Sequence, residues 1–180
     1  MIVRCYNINP RAIRQICKQL LCVAGEVLEK LLGEGIDVAK GNDVDAVSVY
    51  TQYGSGPNGS DYQNIVDAAA SKWNALKDSG VPVIANVTTG WDPRPRFQNG
   101  DNASGQNWNT NATAADIAAN LNNAMVWTEA NKGTTLANTV LMYAWNQFDE
   151  GGWLCPTYQP DNPGVPNTQR IEALQMMLNT

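Results

Sequence analysis

Three short segments concentrate the side chains able to do chemistry. The first, Trp145-Asn146-Gln147-Phe148-Asp149-Glu150-Gly151-Gly152-Trp153, sets two carboxylates among three large aromatic rings. The second, Trp91-Asp92-Pro93-Arg94-Pro95-Arg96, joins an indole, a carboxylate and two guanidinium groups. The third is Tyr50-Thr51-Gln52-Tyr53. Aromatic faces stack on the C–H surfaces of a polyol, while Asp, Asn, Gln and Arg bond its hydroxyls. The chain has no histidine, which removes Ser-His-Asp and Cys-His nucleophile systems and the commonest zinc ligand. Catalysis, if present, falls to carboxylates, Tyr, Lys or Cys. Glu150 is the leading candidate, because a carboxyl among Trp145, Phe148 and Trp153 is suited to general acid–base work.

Cleavage of a glycosidic bond normally takes two carboxyl groups that flank it. The candidate partners are Asp149, Asp92 and Asp45. Asp149 and Glu150 are adjacent, so in an extended loop they point apart, whereas Asp92 can face the same cavity from another loop. Each assignment has a plain alternative. Asp149-Glu150-Gly151-Gly152 also reads as a solvated turn, and Asp45 merely precedes the core of its strand. Trp91, Asp92 and Arg94 read either as a platform and hydroxyl ligands or as a proline-stiffened loop pinned by an Asp–Arg pair.

The elements that must position these segments follow from periodicity. Apolar residues at Ile13, Ile16, Leu20, Ala24, Val27, Leu28 and Leu31 predict an amphipathic helix over residues 11–32, stopped by Gly33 and Gly35. Ile36-Asp37-Val38 is a possible short strand, and Val44–Tyr50 a better one. A helix over Asp61–Asp78 would bury Ile65, Ala69, Trp73 and Leu76. Val81–Val87 reads as a strand buried on both faces, followed by a polar loop to about Asn111. Thr113 is an expected N-cap, with Asp116 in the first turn, for a helix through Asn131 whose apolar line takes in Ile117, Leu121, Met125 and Val126. Thr139–Trp145 is the last strand and Gln169–Leu178 the last helix. Alternating helices and strands without a hairpin signal imply a parallel α/β sheet, either doubly wound or part of a TIM (β/α)8 barrel. A whole barrel takes about 250 residues, and three or four strands are visible here. In either architecture ligands bind beyond the carboxyl ends of the strands, where all three segments fall.

Composition narrows the classes further. The 180 residues suit a single domain, and 43% hydrophobic with 16% charged residues is an ordinary globular balance. A net charge of -5 argues against nucleic acid as a partner. No apolar run approaches the ~18 residues of a membrane span. Lys18 and Gln19 interrupt the one stretch resembling a signal segment, so a secreted full-length parent would carry its signal elsewhere, and location stays open. Cys5, Cys17, Cys22 and Cys155 have neither metal-binding nor disulfide-framework spacing. Asn58, Asn86, Asn102 and Asn111 begin glycosylation-like tripeptides, which chance explains as readily.

Two of these segments carry a family resemblance. Ala85-Asn86-Val87-Thr88-Thr89-Gly90-Trp91-Asp92-Pro93-Arg94-Pro95-Arg96 is similar to a strand-loop ending in Gly-Trp-Asp and arginines. Tyr143-Ala144-Trp145-Asn146-Gln147-Phe148-Asp149-Glu150-Gly151-Gly152-Trp153 resembles a W-N-E-x-x-E-G strand end. Together they resemble glycoside hydrolase family 99 and its WbsX-like relatives, with some likeness to family 71 α-glucanases. The likeness runs from about Asp45 to the C-terminus, and residues 1–35 show none. It implies the C-terminal part of a (β/α)8 barrel acting on α-linked polysaccharide or glycan without a metal or other cofactor. It gives Glu150 the general acid/base role and leaves Trp91, Asp92, Arg94, Trp145 and Asn146, with Tyr50 and Trp153, as sugar ligands. The family's first Glu is Gln147 here, and an amide cannot take up the proton of a sugar 2-hydroxyl, although it can bond that hydroxyl. Asp92 or Asp149 would then have to act in its place. The rival expectations are a non-catalytic carbohydrate-binding relative and a structural α/β domain. A partial barrel would also expose strand edges and favour self-association.

Overall fold

The computed structural model describes residues 2–4, 20–23, 45–51, 54, 56–97, 107–135 and 138–179. Its strands are β1 (Ile2–Arg4), β2 (Leu20–Val23), β3 (Ala46–Val49), β4 (Ala85–Thr88), β5 (Thr139–Tyr143), β6 (Asn146–Gln147) and β7 (Gly152–Trp153). Its helices are α1 (Gln63–Lys77), α2 (Ala114–Ala130) and α3 (Gln169–Leu178). β2 pairs in parallel with β3, and β4 with β5. A parallel bridge between Val47 and Val83 connects β3 to the approach of β4, with Val47 N–H donating to Pro82 O at 2.8 Å and Ile84 N–H to Val47 O at 2.9 Å. The fold is α/β with parallel strand pairs.

One face of these strands meets the helices. Ala85, Val87, Val140 and Met142 share a core with Ile65, Ala69 and Trp73 of α1, Ile117 and Leu121 of α2 and Leu174 of α3. Val47, Val49 and Val83 pack on Leu76 and Val81. The opposite face carries Ala46 and Ile84 with Leu141 against them, and is otherwise polar. There Ser48 Oγ donates to Ile84 O at 2.8 Å, and Asn86 Nδ2 to Tyr50 O at 3.2 Å. Period-two alternation thus turns aliphatic side chains to the helices and hydrogen-bonding ones away. α1 buries Ile65, Ala69, Trp73 and Leu76 as their spacing requires. α2 opens with a capping box, Thr113 and Asp116 bonding each other's backbone N–H.

Several expectations need correction. The helix expected over residues 11–32 is a strand at Leu20–Val23, and the rest of that range lies outside the described residues. Leu20-Leu21-Cys22-Val23 is a continuous apolar run, which either structure can bury, and pairing with β3 decides it. Ile36-Asp37-Val38, Cys5, Cys17, Asn102 and Tyr53 also lie outside. Strand pairing is not purely parallel, because β1 runs antiparallel along β5, and β6 with β7 forms a small antiparallel ribbon. Val126 is 61% exposed, because the buried line of α2 runs Ile117, Leu121, Ala124 and Thr128, one residue off. Asn86 is 2% exposed, so its tripeptide cannot be a glycan acceptor in the folded chain.

Tyr62 links the helices to the end of β4. Its hydroxyl donates to Thr88 O at 2.6 Å and accepts from Asn120 Nδ2 at 2.9 Å, and burial pushes its pKa up to about 12. The unfolded phenol ionises near 10.0 while the folded one does not, so this contribution is full below pH 10 and is lost as pH rises toward 12. Tyr62→Phe, which strands the Asn120 donor, should cost about 1–3 kcal/mol at pH 7 in urea unfolding. The gap between the two proteins should narrow above pH 10; a constant gap would contradict the assignment.

Candidate functional site

The loops leaving β4 and β5 meet backbone to backbone. Thr89 N–H donates to Tyr143 O at 2.6 Å, and Asp92 N–H to Glu150 O at 2.6 Å. Thr89 Oγ1 accepts Ala144 N–H at 2.9 Å. A Cβ at Gly90 would lie 2.1 Å from Gly151 O, and one at Gly151 would lie 2.9 Å from Asp92 N. Gly151 also has a φ of 70°, a left-handed conformation natural to glycine. These two glycines allow the contact.

The contact fixes a turn of 3-10 helix, Phe148–Glu150, between β6 and β7. Within it the two neighbouring acids part, as their adjacency suggested. The Glu150 side chain is 5% exposed and that of Asp149 50%. They nevertheless clasp one guanidinium: Arg96 Nη1 lies 2.6 Å from Glu150 Oε1, and Arg96 Nε 2.7 Å from Asp149 Oδ2. Gln147 Nε2 donates to Asp149 Oδ1 at 2.9 Å. Tyr143 donates its hydroxyl proton to Glu150 Oε2 and accepts from the Tyr50 hydroxyl at 3.1 Å. The result is one hydrogen-bonded chain, Tyr50, Tyr143, Glu150, Arg96, Asp149, Gln147.

Its electrostatics are consistent along the chain. Burial first, then the Glu150 carboxylate and Tyr50, holds the Tyr143 phenol far above its ordinary range, so it stays a donor. Asp149 is held below the usual carboxylate range, chiefly by its hydrogen bond from Arg96, and Arg96 is raised by the same bond. A buried carboxylate needs partners, and Arg96 and Tyr143 supply them.

The remaining candidates divide. Tyr50, Trp145 and Phe148 are 46%, 44% and 51% exposed, and Asn146 is exposed beside them. Trp153 is half-buried, its ring 6.0 Å from that of Phe148 and 3.7 Å from the Arg170 guanidinium. Trp91 is half-buried against the helix-side core, so it does not stand open as a platform in the way Trp145 does. Asp92 and Arg94 bond each other at 2.8 and 2.7 Å, and Arg94 covers the Trp108 ring at 3.5 Å. That pair follows the loop-pinning alternative. Asp45 stands directly before β3.

Three contributors escaped the sequence reading. Tyr143 was visible only as a strand residue, although period two puts it on the polar face. Arg96 had no stated role. Arg170 donates to Trp153 O at 2.7 Å, Ala112 O at 2.9 Å and Thr89 O at 3.4 Å, tying α3 to three loops. Burial lowers its pKa to about 10. No local pattern announces such carbonyl contacts. Among the described residues no group of three or more His, Cys, Asp or Glu side chains could hold a metal ion, and no helix is long and apolar enough to cross a membrane. No family model, curated protein or solved structure matches the chain.

Asp92 is held below the ordinary carboxylate range, first by its side-chain hydrogen bond from Arg94. Its contribution is present above the unfolded value of 3.8 and is lost as pH falls through the lower folded value. Asp92→Asn should thus be less stable than the parent at pH 6, with the two curves of denaturant midpoints converging as pH falls below 3.8 and through the folded value. Gly90→Ala should destabilise by about 2–3 kcal/mol, because the added methyl meets backbone and not a movable side chain. An unchanged midpoint would show that the loops do not touch.

Proposed function

We propose that the chain is the C-terminal part of a (β/α)8-barrel glycoside hydrolase related to family 99, acting on α-linked polysaccharide or glycan. One observation carries the reading. A buried carboxylate, Glu150, follows a strand paired in parallel with β4 and is bonded to Tyr143 and Arg96, while Tyr50, Trp145 and Phe148 from the same strand-end segments are exposed, and acid and stacking surfaces are what a glycosidic bond requires. Among the described residues the helices pack on one face of the strands and hydrogen-bonding side chains line the other, which favours a barrel over a doubly wound sheet with helices on both faces.

In this reading Glu150 is the acid/base. Tyr143 and Arg96 position it, and Asp149, exposed and on the same guanidinium, is the second carboxylate. Asp92 is committed to Arg94. Gln147 and Asn146 bond sugar hydroxyls, while Trp145 and Tyr50 stack on the ring and Trp153 backs Phe148. Trp91 belongs to the support of the loop. Self-association, if strand edges drive it, has two edge strands to use among the described residues, β1 beside β5 and β2 beside β3.

A non-catalytic carbohydrate-binding relative is the second reading. It is favoured by the closed pairing of Glu150 with Arg96 and Tyr143 and by the amide at Gln147. Hydrolysis of α-linked glucans and mannans, with calorimetric binding of their oligosaccharides, separates the two. As a hydrolase the parent cleaves one of them, and Glu150→Gln loses about 10²–10⁴-fold in rate while still binding. Equal inactivity of both proteins with retained binding selects the second reading. Binding to no glycan would defeat both.

A further inference from the structure

Both oxygens of the buried Glu150 carboxyl are engaged by the protein. Its side chain is 5% exposed, and Arg96 Nη1 lies 2.6 Å from Oε1. A guanidinium carries donors only and keeps its proton, so it cannot exchange one with the acid. Oε2 meets the Tyr143 hydroxyl instead. Among the described residues, that phenol is the one group bonded to the Glu150 carboxyl that can both give and receive a proton.

The first bond sets the direction of the second. A carboxylate only accepts, so the single proton of Tyr143 points to Oε2 and its oxygen receives the Tyr50 hydroxyl at 3.1 Å. Tyr50 is 46% exposed. Donation therefore runs in one line from the surface to the buried acid. The reversed line is equally satisfied: a protonated Oε2 donates to Tyr143, Tyr143 to Tyr50, and Tyr50 to water. One net proton separates the two states. Solvent delivers it to the Tyr50 oxygen, Tyr50 passes its own proton to Tyr143, and Tyr143 passes its own to Oε2. Each phenol loses one O–H bond and gains another, so neither changes charge. Burial and the neighbouring carboxylate hold Tyr143 far above the ordinary phenol range, which keeps the link from stopping at a phenolate.

We infer that Tyr143 and Tyr50 form the proton path between Glu150 and solvent, with the Tyr50 hydroxyl as its port. The use of this path in catalysis rests on the hydrolase reading above, because an acid/base must exchange a proton in every turnover. The path itself is measurable without substrate.

The first measurement uses protein labelled with [ζ-¹³C]tyrosine in equal parts of H₂O and D₂O. The Tyr143 signal, assigned as the one lost in Tyr143→Phe, reports hydroxyl exchange through its deuterium isotope splitting. In Tyr50→Phe that exchange must wait for a local opening, and is expected to slow about tenfold or more. Tyr158→Phe, at an exposed phenol outside the chain, should leave it unchanged, and thermal unfolding checks that each variant folds. Exchange at Tyr143 as fast in Tyr50→Phe as in the parent means that solvent reaches it directly, and overturns the inference. The second measurement takes a glycan that the parent cleaves. Tyr50→Phe keeps the ring for stacking, so kcat should fall about tenfold with KM unchanged; a rise in KM alone overturns the catalytic use of the path. Slowed exchange in a protein that cleaves no glycan upholds the path and removes the hydrolase reading.

Discussion

The arrangement depends on a close approach of two backbones at Gly90 and Gly151. Strand-end loops usually keep a side chain's width apart, because a Cβ projects from each residue. Here a Cβ on Gly90 would overlap Gly151 O, so only hydrogens separate the two chains and Asp92 N–H reaches Glu150 O. That bond holds the backbone of Glu150, the buried acid among the described residues, and the side chain is held in turn by Arg96 and Tyr143.

The partners of Glu150 and the Tyr50 that bonds one of them come from three different strand ends, which makes the cluster a product of topology. Tyr50 follows β3, Arg96 follows β4 and Tyr143 closes β5. Placing β4 directly beside β5 in parallel brings their carboxyl ends together, while the Val47–Val83 bridge brings the end of β3 to the same rim. Tyr50 and Tyr143, with ring centroids 4.6 Å apart, form the seam between the third loop and the other two. Arg170 ties the far side to α3 through three carbonyls and the face of the Trp153 ring.

Much of this was legible in the chain. The cores of α1 and α2 followed from period 3.6, α3 was placed from Gln169 to Leu178, and the Thr113 cap was signalled by Asp116. The crowding of Trp, Tyr, Asp and Glu at strand ends marked the rim. What was not legible depends on tertiary choices. Leu20–Val23 suits helix or strand, and its partner strand decides. The antiparallel entry of β1 has no local cause in Ile2-Val3-Arg4. The partners of Glu150 could not be read from its sequence neighbours: Trp145 and Phe148 are exposed, while Arg96, more than fifty residues away by position, bonds the carboxylate. Asp92 and Arg94 were given two readings, and short spacing with matched geometry favoured the local pair.

The amide at Gln147 is intelligible from the same cluster. Arg96 already balances two carboxylates, Asp149 and Glu150, and among the described residues no other cation bonds either. Gln147 approaches Asp149 as a donor at 2.9 Å. A glutamate there would set a third carboxylate against Asp149 at contact distance, and one of the two would have to take up a proton or swing away. The amide therefore closes the network with a hydrogen bond where a carboxylate would open it by repulsion. The departure at Gln147 and the pairing of Asp149 with Arg96 are thus two sides of one electrostatic arrangement, in which the neutral residue lets both acids share a single guanidinium.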